Sequence, residues 1–181
     1  MKILASFALL LAISFPSIAQ EKSGAWRSQD GSFFEETPSR GSAGSMGGMI
    51  LITTDQDWKE KWNTPKEATP QFSEASEVSP GDPLFLITFF GNPSTDKAGR
   101  ANLTCDFSLL KPDGTVAAQQ KDLECFPQEV AIERNITYMT NVTIEFKAES
   151  SDPKGLWTYR KVLKDRVSNL ELALEAKFTV K

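Results

Sequence analysis

The chain has 181 residues, 20 Lys and Arg against 24 Asp and Glu, two cysteines and no histidine, for a formal net charge of −4. Such a mildly acidic, unclustered balance gives no footing to nucleic acid or anionic lipid as a partner. The lack of histidine removes Ser-His-Asp and Cys-His centres, a histidine proton shuttle and the usual zinc sites.

Met1 and Lys2 open on a positive charge, residues 3–15 are apolar, and Ser17-Ile18-Ala19 has the small-x-small pattern of a cleavage site. This predicts a signal peptide over residues 1–19 and a mature chain of 162 residues beginning at Gln20. The apolar stretch is shorter than the roughly 20 residues a bilayer crossing needs, so no membrane insertion is expected once the signal is cut. The product is expected in the periplasm or secreted. In that oxidising setting Cys105 and Cys125 are expected to form a disulfide.

Residues 20–48 are rich in Ser and Gly and read as a flexible arm before a single β-domain over residues 49–181. Trp26, Phe33 and Phe34 stand out in that arm, either docked on the domain or offered to a partner. Met49-Ile50-Leu51-Ile52-Thr53 has the look of a short strand. A short helix is expected near residues 55–63, with Thr54 as its N-cap and Trp58 and Trp62 on one face. Paired tryptophans on so short a helix favour a plug over the core, with sugar stacking or an aromatic cage as the alternative.

Prolines 65, 70, 80 and 83 make residues 64–83 a long connection, with an edge strand near Phe72. Residues 84–90 are apolar on both faces, which suits a strand in the middle of a sandwich or beneath another element. Residues 102–110, the turn Lys111-Pro112-Asp113-Gly114 and residues 115–118 read as a hairpin. Cys125 follows, placed to tie back to Cys105. Further strands are expected at 129–133, 141–147, 156–165 and 170–180. The last is the clearest, with Leu170, Leu172, Leu174, Ala176, Phe178 and Val180 alternating with Glu171, Glu175, Lys177 and Thr179. Seven to nine short strands with turns every ten residues or so predict an all-β, two-sheet antiparallel sandwich with one short helix.

The ending Asp152-Pro153-Lys154-Gly155-Leu156-Trp157-Thr158-Tyr159, then Val162, Asp165 and the alternating last strand, resembles the closing hairpin of immunoglobulin-like domains in bacterial exported proteins. Lys111-Pro112-Asp113-Gly114-Thr115 is similar to the hairpin turn of the same domains. The resemblance implies an immunoglobulin-like sandwich and carries no catalytic residues with it. The twenty-residue spacing of the cysteines departs from an antibody-type bridge between sheets.

Chemistry is sparse. Asp96, Asp106 and Asp113 lie in or beside expected loops but show no spacing that singles out an acid–base pair. Asp55-Gln56-Asp57 lacks the glycine and distal glutamate of a calcium loop, and the glycines at 41–48 precede a strand instead of following one. No cofactor, metal or catalytic residue is expected. Asn102, Asn135 and Asn141 begin Asn-x-Thr triplets, which read as ordinary polar positions unless the source is eukaryotic. The expected function is a non-enzymatic binding or assembly module that meets another exported protein through a sheet edge or an aromatic surface. The alternatives are a small-ligand or sugar binder using Trp58, Trp62 or Trp157, and a carboxylate-only hydrolase or enzyme inhibitor.

Overall fold

The computed structural model describes residues 34–65, 69–128 and 130–181. Trp26 and Phe33 therefore lie outside the described residues, as do the expected signal segment and cleavage site. Among the described residues, ten strands form two five-stranded sheets. The first contains β1 (Arg40–Ala43), β2 (Met46–Thr53), β4 (Pro83–Gly91), β7 (Thr137–Met139) and β8 (Ile144–Lys147), with β7 and β8 sharing the far side of β4. The second runs β3 (Glu77–Val78), β10 (Leu170–Val180), β9 (Gly155–Asp165), β5 (Leu103–Leu110) and β6 (Val116–Glu124). All pairings are antiparallel except β3 with β10, so the second sheet is mixed. The expected all-β sandwich with one short helix is the observed architecture.

The core follows from period-two alternation. Trp157, Tyr159, Lys161, Leu163 and Asp165 of β9 and Leu172, Leu174, Ala176, Phe178 and Val180 of β10 are buried on one face. Against them pack Met46, Ile50, Ile52, Leu84, Leu86 and Phe90 of the first sheet. The doubly apolar β4 needs a second cover, and the helix α1 (Trp58–Trp62) supplies it. Phe85, Ile87 and Phe89 form a smaller cluster with Leu51 and Trp58, on which Trp62 and Phe72 rest. The helix begins after Asp57 and not at the expected Thr54 cap. Its approach is held instead by Asp55, whose carboxylate takes Lys61 Nζ at 2.7 Å and the Ser73 N–H at 2.8 Å. Burial alone would raise the Asp55 pKa, but these two donors outweigh it and bring it down to about 2.

Four further expectations are corrected. The last nine residues of the supposed flexible arm, 40–48, belong to the β1–β2 hairpin. Glycine serves close packing there. A Cβ on Gly48 would stand 2.8 Å from Leu172, 2.9 Å from Leu163 and 3.0 Å from Leu174, so any side chain there would have to displace the leucine layer that β2 packs against. No strand forms over the described residues of 129–133, where Ala131 makes an isolated bridge to Arg100. The strand expected over 141–147 begins only at Ile144, because residues 140–143 turn a corner between β7 and β8. Phe72 makes no strand either, and the chain there bridges at Glu74 before the two-residue β3.

Cys105 on β5 and Cys125 just beyond β6 form a disulfide with Cα atoms 5.8 Å apart, tying two neighbouring strands of one sheet. Both cysteines are fully buried. Changing both to alanine is expected to cost about 3 kcal/mol through the freed twenty-residue loop, read as a lower urea midpoint.

Candidate functional site

Sheet edges are where a sandwich can accept another chain, and the long edge at β6 is guarded. The long outer edge of β6 bends at a bulge, where Asp122 takes a φ of 53° and the register to β5 shifts. Lys121 and the Lys164–Asp122–Arg166 ion-pair group stand beside it. Such a bulge and such charges blunt an edge against pairing.

The opposite edge is different. β2 is paired to β1 only as far as Met49 and meets Glu74 again at Thr53. Between these points the Ile50 N–H donates to the Ser39 carbonyl at 2.8 Å, and the Ala75 N–H donates to the Ile52 carbonyl at 2.9 Å. Facing it in the second sheet, β10 is paired to β3 only at Thr179 and Val180. The Glu175 N–H donates to the Pro38 carbonyl at 2.7 Å, and the Thr179 N–H to the Ser76 carbonyl at 2.9 Å. Two short segments, 37–40 and 74–78, thus each cross from one sheet edge to the other. Between them both sheets lack a described neighbour at the same height.

The result is a slot of about 490 Å³. Its floor is apolar, from Ile50, Leu51, Ile52 and Ala176, and its walls are the crossing segments with Arg40 and Glu74. Period-two geometry directs the main-chain groups of Lys177 away from β9 and into the slot, in phase with Glu175 and Thr179. The Ile52 N–H faces the same way, in phase with Ile50.

Charge in the slot is largely settled internally. Glu175 accepts from Arg160 at 2.8 Å and Lys177 at 3.1 Å, and these cations hold its pKa below the usual carboxylate range. Arg40 donates to the Glu35 carbonyl and lies 4.7 Å from the ring centroid of Phe34. Glu74, exposed on the wall, has no ion-pair partner among the described residues.

The residues singled out in the sequence do not converge on one place. Phe34 is exposed and stacked by Arg40, three positions before the slot wall at Thr37. Trp58 is buried with its ring centroid 6.1 Å from that of Phe85, and Trp62 lies 5.0 Å from Phe89. Both pack on the face of β4 that carries Phe85 and Phe89. Trp157 is 1 % exposed and belongs to the core. The cysteines form a structural link.

The three candidate carboxylates are also dispersed. Asp96 binds the Arg100 backbone and side chain, Asp106 pairs with Lys164 at 2.7 Å, and Asp113 closes its turn on Thr115. All three have lowered pKa values. The Arg100 N–H does this for Asp96, Lys164 overcomes desolvation at Asp106, and the Thr115 hydroxyl leads at Asp113. None is the raised carboxyl that an acid–base pair requires of its proton donor. The slot itself was not legible in the sequence, because each edge is an ordinary strand and only the crossing segments create the gap.

No family model matches the chain, and no curated protein matches it. Among solved structures it is similar to a Niemann-Pick type C2 protein from Japanese carpenter ant, at 12 % identity and a TM-score of 0.40, over 73 % of this chain and 89 % of that one. It is also similar to a family 123 glycoside hydrolase from Clostridium perfringens, at 13 % identity and 0.41, over 74 % of this chain but 27 % of the enzyme. A third likeness is to a CARDB domain from Pyrococcus furiosus in complex with di-metal ions, at 9 % identity and 0.37, over 74 % and 87 %. Likenesses this distant transfer neither function nor ligand to this chain.

Proposed function

We propose that this protein is a non-catalytic recognition module that takes a short extended segment of another protein into the slot between β2 and β10. The observation that carries this reading is the coincidence of two interrupted sheet edges over an apolar floor. A partner segment gains main-chain hydrogen bonds at Lys177 and Ile52 and buries a side chain over Ile50 and Ala176, the usual logic of strand addition. The Glu74 carboxylate favours a Lys or Arg beside that apolar residue. The N-terminal pattern, the disulfide and the resemblance to bacterial exported immunoglobulin-like domains support an exported or periplasmic setting, with an exported protein as partner.

A displayed library of random peptides, panned on the chain, tests the reading with Lys177→Pro as counter-screen. Proline removes the outward N–H while leaving the alternate residues Ala176 and Phe178 to pair with β9. The expected result is a consensus of one apolar residue next to a basic one, bound at least tenfold more weakly by Lys177→Pro. Enriched peptides indifferent to that change would move recognition off the slot, and an empty selection would overturn the reading.

A further inference from the structure

Two formally charged side chains are buried among the described residues, Lys161 at 0 % exposure and Asp165 at 1 %. Asp165 is well served, accepting from the N–H groups of Ser94, Val167 and Ser168. Lys161 is not. Among the described residues its Nζ has a single partner, the Val142 carbonyl, at 3.4 Å.

No counter-charge faces it from the described elements packed around it. β2 and β4 contain no ionisable residue. On β5 the one acid, Asp106, pairs with Lys164 on the outer face. On β10, Glu171, Glu175 and Lys177 alternate outward from the buried Leu172, Leu174 and Ala176. Glu145 and Lys147 of β8 are exposed. Along β9 the inward neighbour is Tyr159, whose phenol burial keeps protonated. An ammonium here would have one carbonyl and no carboxylate.

That carbonyl sits where the pairing along β4 is interrupted. β4 pairs with β7 through Phe89–Gly91 and with β8 through Pro83–Leu86, and residues 140–143 span the break. The corner is held by the Thr140 N–H on the Thr88 carbonyl at 2.9 Å, by the Asn141 N–H on the Cys125 carbonyl at 3.0 Å and by the Thr140 hydroxyl on the Val142 carbonyl at 3.2 Å. Val142 itself is half-buried, so the segment that binds the amine also borders solvent.

We propose that protonation of Lys161 drives local opening of the β7–β8 corner, making residues 140–143 a proton-sensitive latch on the sheet edge opposite the slot. Opening lets the ammonium reach water while the sheets stay packed. Burial holds the closed-state amine at about 7 against an ordinary 10.5, so the open form binds the extra proton between those values. Opening therefore becomes more populated as pH falls from about 10 to about 7, and levels off below.

Amide hydrogen exchange by NMR on the whole chain between pH 7 and pH 9 tests this, expressed as protection against intrinsic rates. Thr140 and Asn141 are expected to show less protection than the amides of β10. Their protection should rise up to about tenfold per pH unit, while Lys161→Met raises it at pH 7 and abolishes the slope. Corner amides as protected as those of β10 at every pH would overturn the latch. So would a pH slope that persists in Lys161→Met.

Discussion

Trp157→Ala is expected to remove about 3–5 kcal/mol of stability. The indole is 1 % exposed, lies 5.0 Å from Phe146 and 6.3 Å from Phe178 between ring centroids, and donates from Nε1 to the Pro153 carbonyl at 2.9 Å. It therefore does two things at once. It joins β8 to the β9–β10 hairpin across the sandwich, and it holds the turn that feeds β9. Truncation leaves a cavity where three rings met and a carbonyl without its donor. Trp157→Phe keeps most of the apolar body and loses the hydrogen bond, so it should cost about 1–2 kcal/mol. Urea titrations of the three proteins check this, and equal losses for both variants would show that the hydrogen bond and not the ring volume is the dominant contribution.

Lys161→Met should act in the opposite direction and gain about 2–4 kcal/mol at pH 7. The sign follows from linkage. The folded-state amine, fully buried and depressed to about 7, binds fewer protons than the unfolded chain up to about 10.5. Stability of the unmodified protein must then rise with pH across that window and flatten below it. From pH 7 to pH 9 the rise is expected to be about 2 kcal/mol, since one proton bound only by the unfolded chain is worth at most about 1.4 kcal/mol for each pH step of one. Between pH 7 and pH 9 few other groups interfere, since the chain has no histidine and both cysteines are bridged. Methionine fills a similar volume without a charge to desolvate, so the variant should show a raised, pH-independent urea midpoint. A variant less stable than the parent at pH 7 would mean that the amine is solvated in a way the Val142 contact does not express.

Trp157 and Lys161 lie on the same buried face of β9, and the sequence places both in a strand without deciding which face is buried. Trp157 follows a clear turn, and a tryptophan there suits either the core or a ligand-facing surface. Lys161 falls on the same phase, but a lysine there reads as a surface residue on a strand whose phase has slipped. Its burial is decided by the flanking Tyr159 and Leu163, which commit the register, and by the 140–143 corner, whose Val142 carbonyl the amine reaches. Composition misled at residues 41–48 for a related reason. Glycine signals flexibility when it has no neighbours, and close approach when a leucine layer lies opposite.

By itself the sequence determined what depends on local period and turn chemistry: the strands at 84–90, 156–165 and 170–180, the Lys111-Pro112-Asp113-Gly114 turn, the short tryptophan helix and the proximity of the two cysteines. Those features are set by residues within a few positions of one another, so they survive without knowledge of the rest. Tertiary structure alone decided the pairing of β1 with β2, the parallel strand β3, the corner over Lys161 and the slot between β2 and β10. Each of these depends on residues tens of positions apart meeting at one edge, where main-chain groups of any sequence can pair, and main-chain hydrogen bonds leave no mark in side-chain pattern.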